Sequence, residues 1–219
     1  GRVRYAEQQM CKMPRLLRSQ SFGKMDVLVV EALAITEEGL IPTTSVGFTN
    51  YLLDSASEII VEINKAQPEV LFGLHDIFIP KPPPAAEPIP LKNVRDRFGS
   101  MFLPVNPSKI KYIVETDQPE NVVEQTIGSD ESRKIAEYLF NFLRKEYHTR
   151  SGGLIPPIQL GFGNIANAIA DLFQTSEFKD LKFFCGGVSD KVLQLFQMGK
   201  ASGISTGGIS MNENAAKIL

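Results

Sequence analysis

Apolar residues in this chain fall into two kinds of run: short continuous blocks rich in β-branched side chains, and longer stretches with helical spacing. Met25-Asp26-Val27-Leu28-Val29-Val30-Glu31 is a block of the first kind, and a strand lacking polar alternation is expected to be covered on both faces. Gly39 and Pro42 punctuate a turn, and Thr49 to Ser57 carries Tyr51, Leu52 and Ala56 at the spacing of a short helix. Ile59-Ile60-Val61-Glu62-Ile63 reads as a second buried strand. Strand, helix and strand with short connections predict parallel pairing through a right-handed crossover. Ile110 to Val114 reads as a third strand, ending in the loop Glu115-Thr116-Asp117-Gln118-Pro119.

Ser129 to Tyr147 has the clearest helical period. Ser129 can cap its start, and Asp130 and Glu131 suit the positive end of the helix dipole. Its buried stripe is expected at Ile135, Leu139, Phe142 and Leu143. Ser151-Gly152-Gly153 ends that unit, and a second helix is expected from Asn164 to about Phe173. Leu181 to Cys185 predicts a fourth strand, and Asp190 to Met198 another helix. The fold class is therefore α/β, with mostly parallel sheets flanked by helices.

Between the third strand and what precedes it lie six prolines, Pro80, Pro82, Pro83, Pro84, Pro88 and Pro90. Such density excludes helix and interior strand, so the segment is extended and stiff. It reads as a spacer between lobes, with an SH3-type ligand as the alternative. The organisation expected is a first lobe over 1–79, a spacer over 80–109 and a second lobe over 110–219.

Composition adds exclusions. The 219 residues are 43% hydrophobic with a net charge of −2, enough to bury a sizeable core and without the basic footprint of nucleic-acid binding. Runs such as Val27–Val30 are too short to span a bilayer. Cys11 and Cys185 are the two cysteines, without metal-ligand spacing, and suit a reducing compartment. Gly1-Arg2-Val3-Arg4 is not followed by the apolar stretch of a signal peptide. The abrupt start without Met suggests a lost natural N-terminus.

The stretch with most chemical content is Gln159-Leu160-Gly161-Phe162-Gly163-Asn164-Ile165-Ala166-Asn167-Ala168. Glycines without a Cβ let the backbone approach a ligand, and the free N–H groups of a following helix attract an anion or a developing oxyanion. The same pair could equally serve a tight turn that packs helix on strand.

Taken in order, five pieces of the chain resemble the acetyl-CoA hydrolase/transferase family of class I CoA-transferases. They are Asp26 to Ala32 with Thr36-Glu37-Glu38-Gly39 and Pro42 to Gly47; Glu58 to Asn64 with Gly73-Leu74-His75-Asp76; Asp96-Arg97-Phe98-Gly99-Ser100 with Pro107-Ser108-Lys109-Ile110; Gln159 to Ala168; and Ser189-Asp190 through Gly199-Lys200 to Ala201-Ser202-Gly203. The resemblance implies a CoA-transferase-like fold, with this chain as the middle of a longer enzyme. Coenzyme A or acetyl-CoA is then a substrate rather than a tightly held cofactor. A small carboxylate, acetate or succinate, is the acceptor, or water in a hydrolase. A homo-oligomer is expected, in bacterial cytoplasm or in the mitochondrial matrix. Gln159, Gly161, Phe162, Gly163 and Asn164 become the candidate CoA-binding residues.

The resemblance also implies a glutamate that attacks the thioester carbonyl, forms a mixed anhydride and is captured by CoA as an enzyme thioester. Aligned without gaps from Asp190, the family's aromatic-Thr/Ser-Glu step falls on Phe184-Cys185-Gly186, which puts Gly186 at the nucleophile's position. Glu177 and Glu213 are too distant in sequence to substitute. The register is also short by about three residues between Lys200 and Ala201, where the family runs a strand. Cys185, flanked by apolar residues, reads as a small buried hydrophobe rather than a replacement nucleophile. The expected activity is therefore CoA transfer or acetyl-CoA hydrolysis with the nucleophile missing, or a non-catalytic acyl-CoA-binding or partner subunit.

Other residues carry two readings each. His75-Asp76 could be an acid–base pair or hold a loop. His148 is a partner for a helix C-terminus. Arg97 could take a carboxylate or phosphate, or form a salt bridge. Glu31 and Glu62 could meet at strand ends.

Overall fold

The computed structural model describes residues 5, 7–119, 128–148 and 154–210. By its internal contacts the chain divides into two compact units, one of residues 1–79 and 99–118, the other of residues 80–98 and 119–219.

The first unit holds helix α1 (Met13–Arg18), strands β1 (Val27–Ile35) and β2 (Leu40–Pro42), helix α2 (Thr49–Ser55), and strands β3 (Glu58–Asn64) and β4 (Ile110–Thr116). The sheet order is β2-β1-β3-β4. β1, β3 and β4 are parallel and β2 is antiparallel to β1. Pro42 is tolerated because β2 is an edge. The expected β1–α2–β3 parallel unit is present. β4, read from sequence as the opening of a second lobe, instead pairs with β3. Its Ile-Lys-Tyr-Ile-Val run carries no signal of which sheet it joins.

One face of this sheet is a core. Leu28, Val30, Ala32, Ile59 and Val61 pack with Leu40, Leu53, Ala56, Ile77 and Leu103. Each large member contributes about 1.5–3 kcal/mol by leaving water. Gly39, at φ +145°, makes the turn into β2, where a Cβ would overlap the Leu103 carbonyl. Leu40 and Leu103 exchange both main-chain bonds there, at 2.9 and 2.8 Å. Lys109, from the Pro-x-Lys-Ile block, donates to the carbonyls of Leu53 and Asp54 at the end of α2 (3.1 and 2.8 Å), where a cation complements the helix dipole.

The other face is not covered among the described residues. Val29 is 62% exposed and Tyr112 67%, with Val27 and Val114 beside them. This corrects the expectation of strands buried on both sides. A β-branched run reports that a strand favours burial, and does not by itself supply the cover for both faces.

The second unit contains α3 (Asp130–Leu143), α4 (Asn164–Thr175), β5 (Leu181–Cys185), α5 (Asp190–Gln197) and β6 (Ala201–Thr206). Ser129 caps α3 as its residue type predicts, accepting from Ser132 N at 3.3 Å. The helix widens into a π-helical turn over Arg144–His148. Its buried face is Ser132, Ala136 and Phe140, not the stripe expected one step along. Ile135, Leu139 and Phe142 are exposed, Phe142 by 55%, while Leu143 of the expected stripe is partly buried. The decider is Phe140, which meets Phe173 of α4 and Phe178 edge-to-face at 5.5 Å each. Phe173 continues to Phe183 of β5 at 6.5 Å. Such pairs add about 0.5–1.5 kcal/mol each beyond their burial. Arg144 stacks over Phe140 and forks onto Glu177 (2.7 and 3.1 Å), so Glu177 has a structural partner. Glu213 lies outside the described residues.

β5 and β6 are parallel. Residues 158–160 run along the other side of β5, with Ile158 N donating to Lys182 O (2.8 Å) and Phe184 N to Ile158 O (3.0 Å). The succession of extended segment, α4, β5, α5 and β6 is a doubly repeated parallel unit. Residues from 80–98 group with it. Arg95 Nε donates to Ser202 O at 2.6 Å, and Val94 lies where a Cβ on Gly203 would overlap it.

Candidate functional site

In parallel α/β sheets the carboxyl ends of the strands form the usual ligand crevice. In the second unit those ends are rich in glycine. The 158–160 segment ends in Gly161-Phe162-Gly163, β5 ends in Cys185-Gly186-Gly187, and β6 ends in Thr206-Gly207-Gly208.

The first two loops meet. Leu160 N donates to Cys185 Sγ at 3.3 Å, and a Cβ on Gly187 would overlap Cε2 and Cζ of Phe162. The third joins them through Gly207 N, which donates to Cys185 O at 3.4 Å. Gly163 takes φ +124°, which an L side chain rarely adopts. It caps α4 with no side-chain hydrogen bond, while its carbonyl accepts from Asn167 N at 3.0 Å. The start of α4 thus carries the partial positive charge of a helix N-terminus with no carboxylate or hydroxyl of its own placed on it. Asn167, buried in α4, accepts from Ser189 Oγ at 2.8 Å and so ties α4 to the start of α5.

Of the residues singled out on sequence, Gly161, Phe162, Gly163 and Gly186 come together here, with Gln159 and Asn164 flanking the turn. Gly161 and Gly186 are exposed, and a Cβ on either would meet nothing within 4 Å. A side chain at 186 would therefore stand in open space beside the glycine turn. Cys185 is buried and holds a main-chain N–H, a packing role. Gly187, Gly207 and the 25-residue link from Leu160 to Cys185 are features the apolar pattern does not announce.

Elsewhere the candidates resolve into structural roles. His75 Nε2 bonds to Thr43 O at 2.8 Å and Asp76 Oδ1 accepts from Gly99 N at 2.6 Å, so the two neighbours tie their loop to two different segments. Glu31 and Glu62 are register neighbours, but their carboxylates take different partners. Glu31 accepts from Thr43 Oγ1 (3.0 Å), Asn64 Nδ2 (2.6 Å) and Gln67 Nε2 (3.3 Å); Glu62 accepts from Thr116 Oγ1 (2.7 Å). Arg97 is exposed. Among the described residues no three His, Cys, Asp or Glu side chains are grouped to hold a metal ion, and no helix is long and apolar enough to cross a membrane.

Comparison with known proteins assigns the chain a family. The family model of the acetyl-CoA hydrolase/transferase N-terminal domain matches residues 1–124. The chain belongs to the acetyl-CoA hydrolase/transferase family. It is 37% identical over 215 residues to the succinyl-CoA:acetate CoA-transferase of Clostridium kluyveri, covering 96% of this chain and 39% of that protein. It is 32% identical over 222 residues to the acetyl-CoA hydrolase of Saccharomyces cerevisiae, covering 97% and 42%. The chain thus spans about two fifths of the length of these relatives. In fold it is similar to 4-hydroxybutyrate CoA-transferase from Porphyromonas gingivalis, with a TM-score of 0.65, 22% identity, and 98% of this chain and 47% of the other covered. It is likewise similar to RipA from Yersinia pestis, with a TM-score of 0.66, 15% identity, and 99% and 43% covered.

Proposed function

We infer that this chain contributes the acyl-CoA-binding corner of a CoA-transferase or acetyl-CoA hydrolase, and that Gly186 stands where the nucleophilic glutamate of such an enzyme belongs. The observation carrying this reading is that the turn region touches both neighbours of Gly186, Leu160 on Cys185 and Phe162 on Gly187, with open space at 186 itself. A thioester carbonyl placed there would find main-chain donors and the start of α4, and would meet no side chain at 186. One aimed donor is worth about 3–4 kcal/mol to a developing oxyanion. The substrates are an acyl-CoA and a small carboxylate, acetate or succinate, with no tightly bound cofactor; a homo-oligomer is the expected assembly.

In the glutamate mechanism the carboxylate adds to the thioester carbonyl, CoA leaves as thiolate, and a mixed anhydride remains. The thiolate then attacks the enzyme's acyl carbon, releases the free carboxylate and leaves an enzyme thioester. Gly186 offers no oxygen for the first step, so this chain binds and polarises without forming that adduct. The second reading, a non-catalytic acyl-CoA-binding or partner subunit, is favoured by the same residue.

Intact-mass measurement after incubation with acetyl-CoA tests the assignment, using the unmodified protein and Gly186→Glu. The open space at 186 admits the longer side chain. The expected result is a CoA adduct on the variant alone. An adduct on the unmodified chain would show that another residue is the nucleophile. Adducts on neither would favour the binding role.

A further inference from the structure

Phe162 carries the one side chain within the Gly161–Gly163 turn. A Cβ at Gly161 or Gly163 would meet nothing within 4 Å, so neither position gains a packing contact. Two glycines in three residues also widen the backbone's choices. The ring of Phe162 is 58% exposed, yet its Cε2 and Cζ atoms rest on the bare backbone of Gly187, which is buried. Gly187 is not among the residues with positive φ, so alanine could adopt its backbone conformation. What requires glycine at 187 is the ring above it.

We propose that Phe162 and Gly187 form a ring-on-glycine latch that holds the Gly161–Gly163 turn against the end of β5. Phe162 is then a positioning residue for the turn's main-chain donors. It acts through the backbone, without touching the reacting atoms. The turn's role toward a thioester rests on the acyl-CoA reading above; the latch itself is a property of the fold and can be measured without ligand.

The test compares Phe162→Ala, Gly187→Ala and the double variant by amide hydrogen exchange and by calorimetric titration with acetyl-CoA and with CoA. Phe162→Ala is expected to speed exchange at residues 160–165 by on the order of tenfold, with α3 and β6 unchanged. Gly187→Ala should do the same by displacing the ring, and should add nothing in the Phe162→Ala background. Acetyl-CoA, which carries the carbonyl, should bind about threefold to tenfold more weakly to Phe162→Ala, the size of one net hydrogen bond, with a smaller loss for CoA. Additive effects of the two substitutions, or unchanged exchange, would overturn the latch. Equal weakening of both ligands together with a lower Tm would overturn the positioning role and leave a purely structural one. If the unmodified protein binds neither ligand, the acyl-CoA reading and the turn's role within it both fall, and the exchange data alone decide the latch.

Discussion

The carboxyl ends of parallel strands are furnished in opposite ways in the two units. In the first, Glu31, Thr43, Asn64 and Gln67 fill the space with mutual hydrogen bonds, and Asn64 serves every one of its bonding sites. Its Nδ2 donates to Glu31 and to Gln118 O, and its Oδ1 accepts from Ala66 N and Gln118 N. In the second, side chains are replaced by glycines and space is left open at 161 and 186. A set of buried and half-buried polar groups that satisfy one another has little left for a ligand, whereas bare main chain beside a helix start has donors to offer. The candidate site is therefore the region with fewer side chains.

Substitutions can break that contrast. The largest effect is expected at Asn64→Ala. It takes one of the Glu31 carboxylate's three donors, leaves Ala66 N and both Gln118 main-chain groups without their Asn64 partner, and should cost about 3 kcal/mol in urea unfolding. Glu31→Gln keeps the shape of the network and removes its charge. About 1–2 kcal/mol is expected from weakening the bonds of Thr43, Asn64 and Gln67 to a charged acceptor. Gly186→Ala, at the other strand end, should change stability by less than about 0.5 kcal/mol, because its Cβ meets nothing. A large loss there would mean the corner is packed after all.

The smallest effect concerns Asp96, whose carboxylate accepts from Asn93 N and Lys92 N at 2.8 and 2.9 Å. Those bonds, led by the Asn93 amide, hold its carboxyl below the usual range. A depressed folded-state value adds stability above the ordinary aspartate pKa, and that stability is lost as pH falls through the folded value. Asp96→Asn should therefore flatten the acid limb of a stability–pH curve slightly and leave neutral pH almost unchanged.

Local chemistry explains which parts were legible in the sequence. β1, β3 and the cap of α3 could be read because β-branched blocks and Ser129 act through nearest neighbours. The α3 stripe came out one step wrong because Ile135-Leu139-Phe142 and Ser132-Ala136-Phe140 have the same period. Only the aromatic neighbours Phe173 and Phe178 select the phase. β6 has the composition Ala-Ser-Gly-Ile-Ser-Thr, without a strong strand preference, and is a strand because β5 and residues 94–95 claim it. The glycine turn was visible as a turn. Its contact with Gly187 was not, since no pattern within the chain ties residues 25 apart into one corner.

Arg95 and Ser202 join across 107 positions, and residues 99–118 between them belong to the other unit. The polypeptide passes from one body to the other at 79/80, 98/99 and 118/119, so no single scission yields both intact. A piece starting at residue 119 would leave Gly203 without Val94. The two bodies are thus interleaved along the chain, and isolating either one would require joining or co-expressing its two segments.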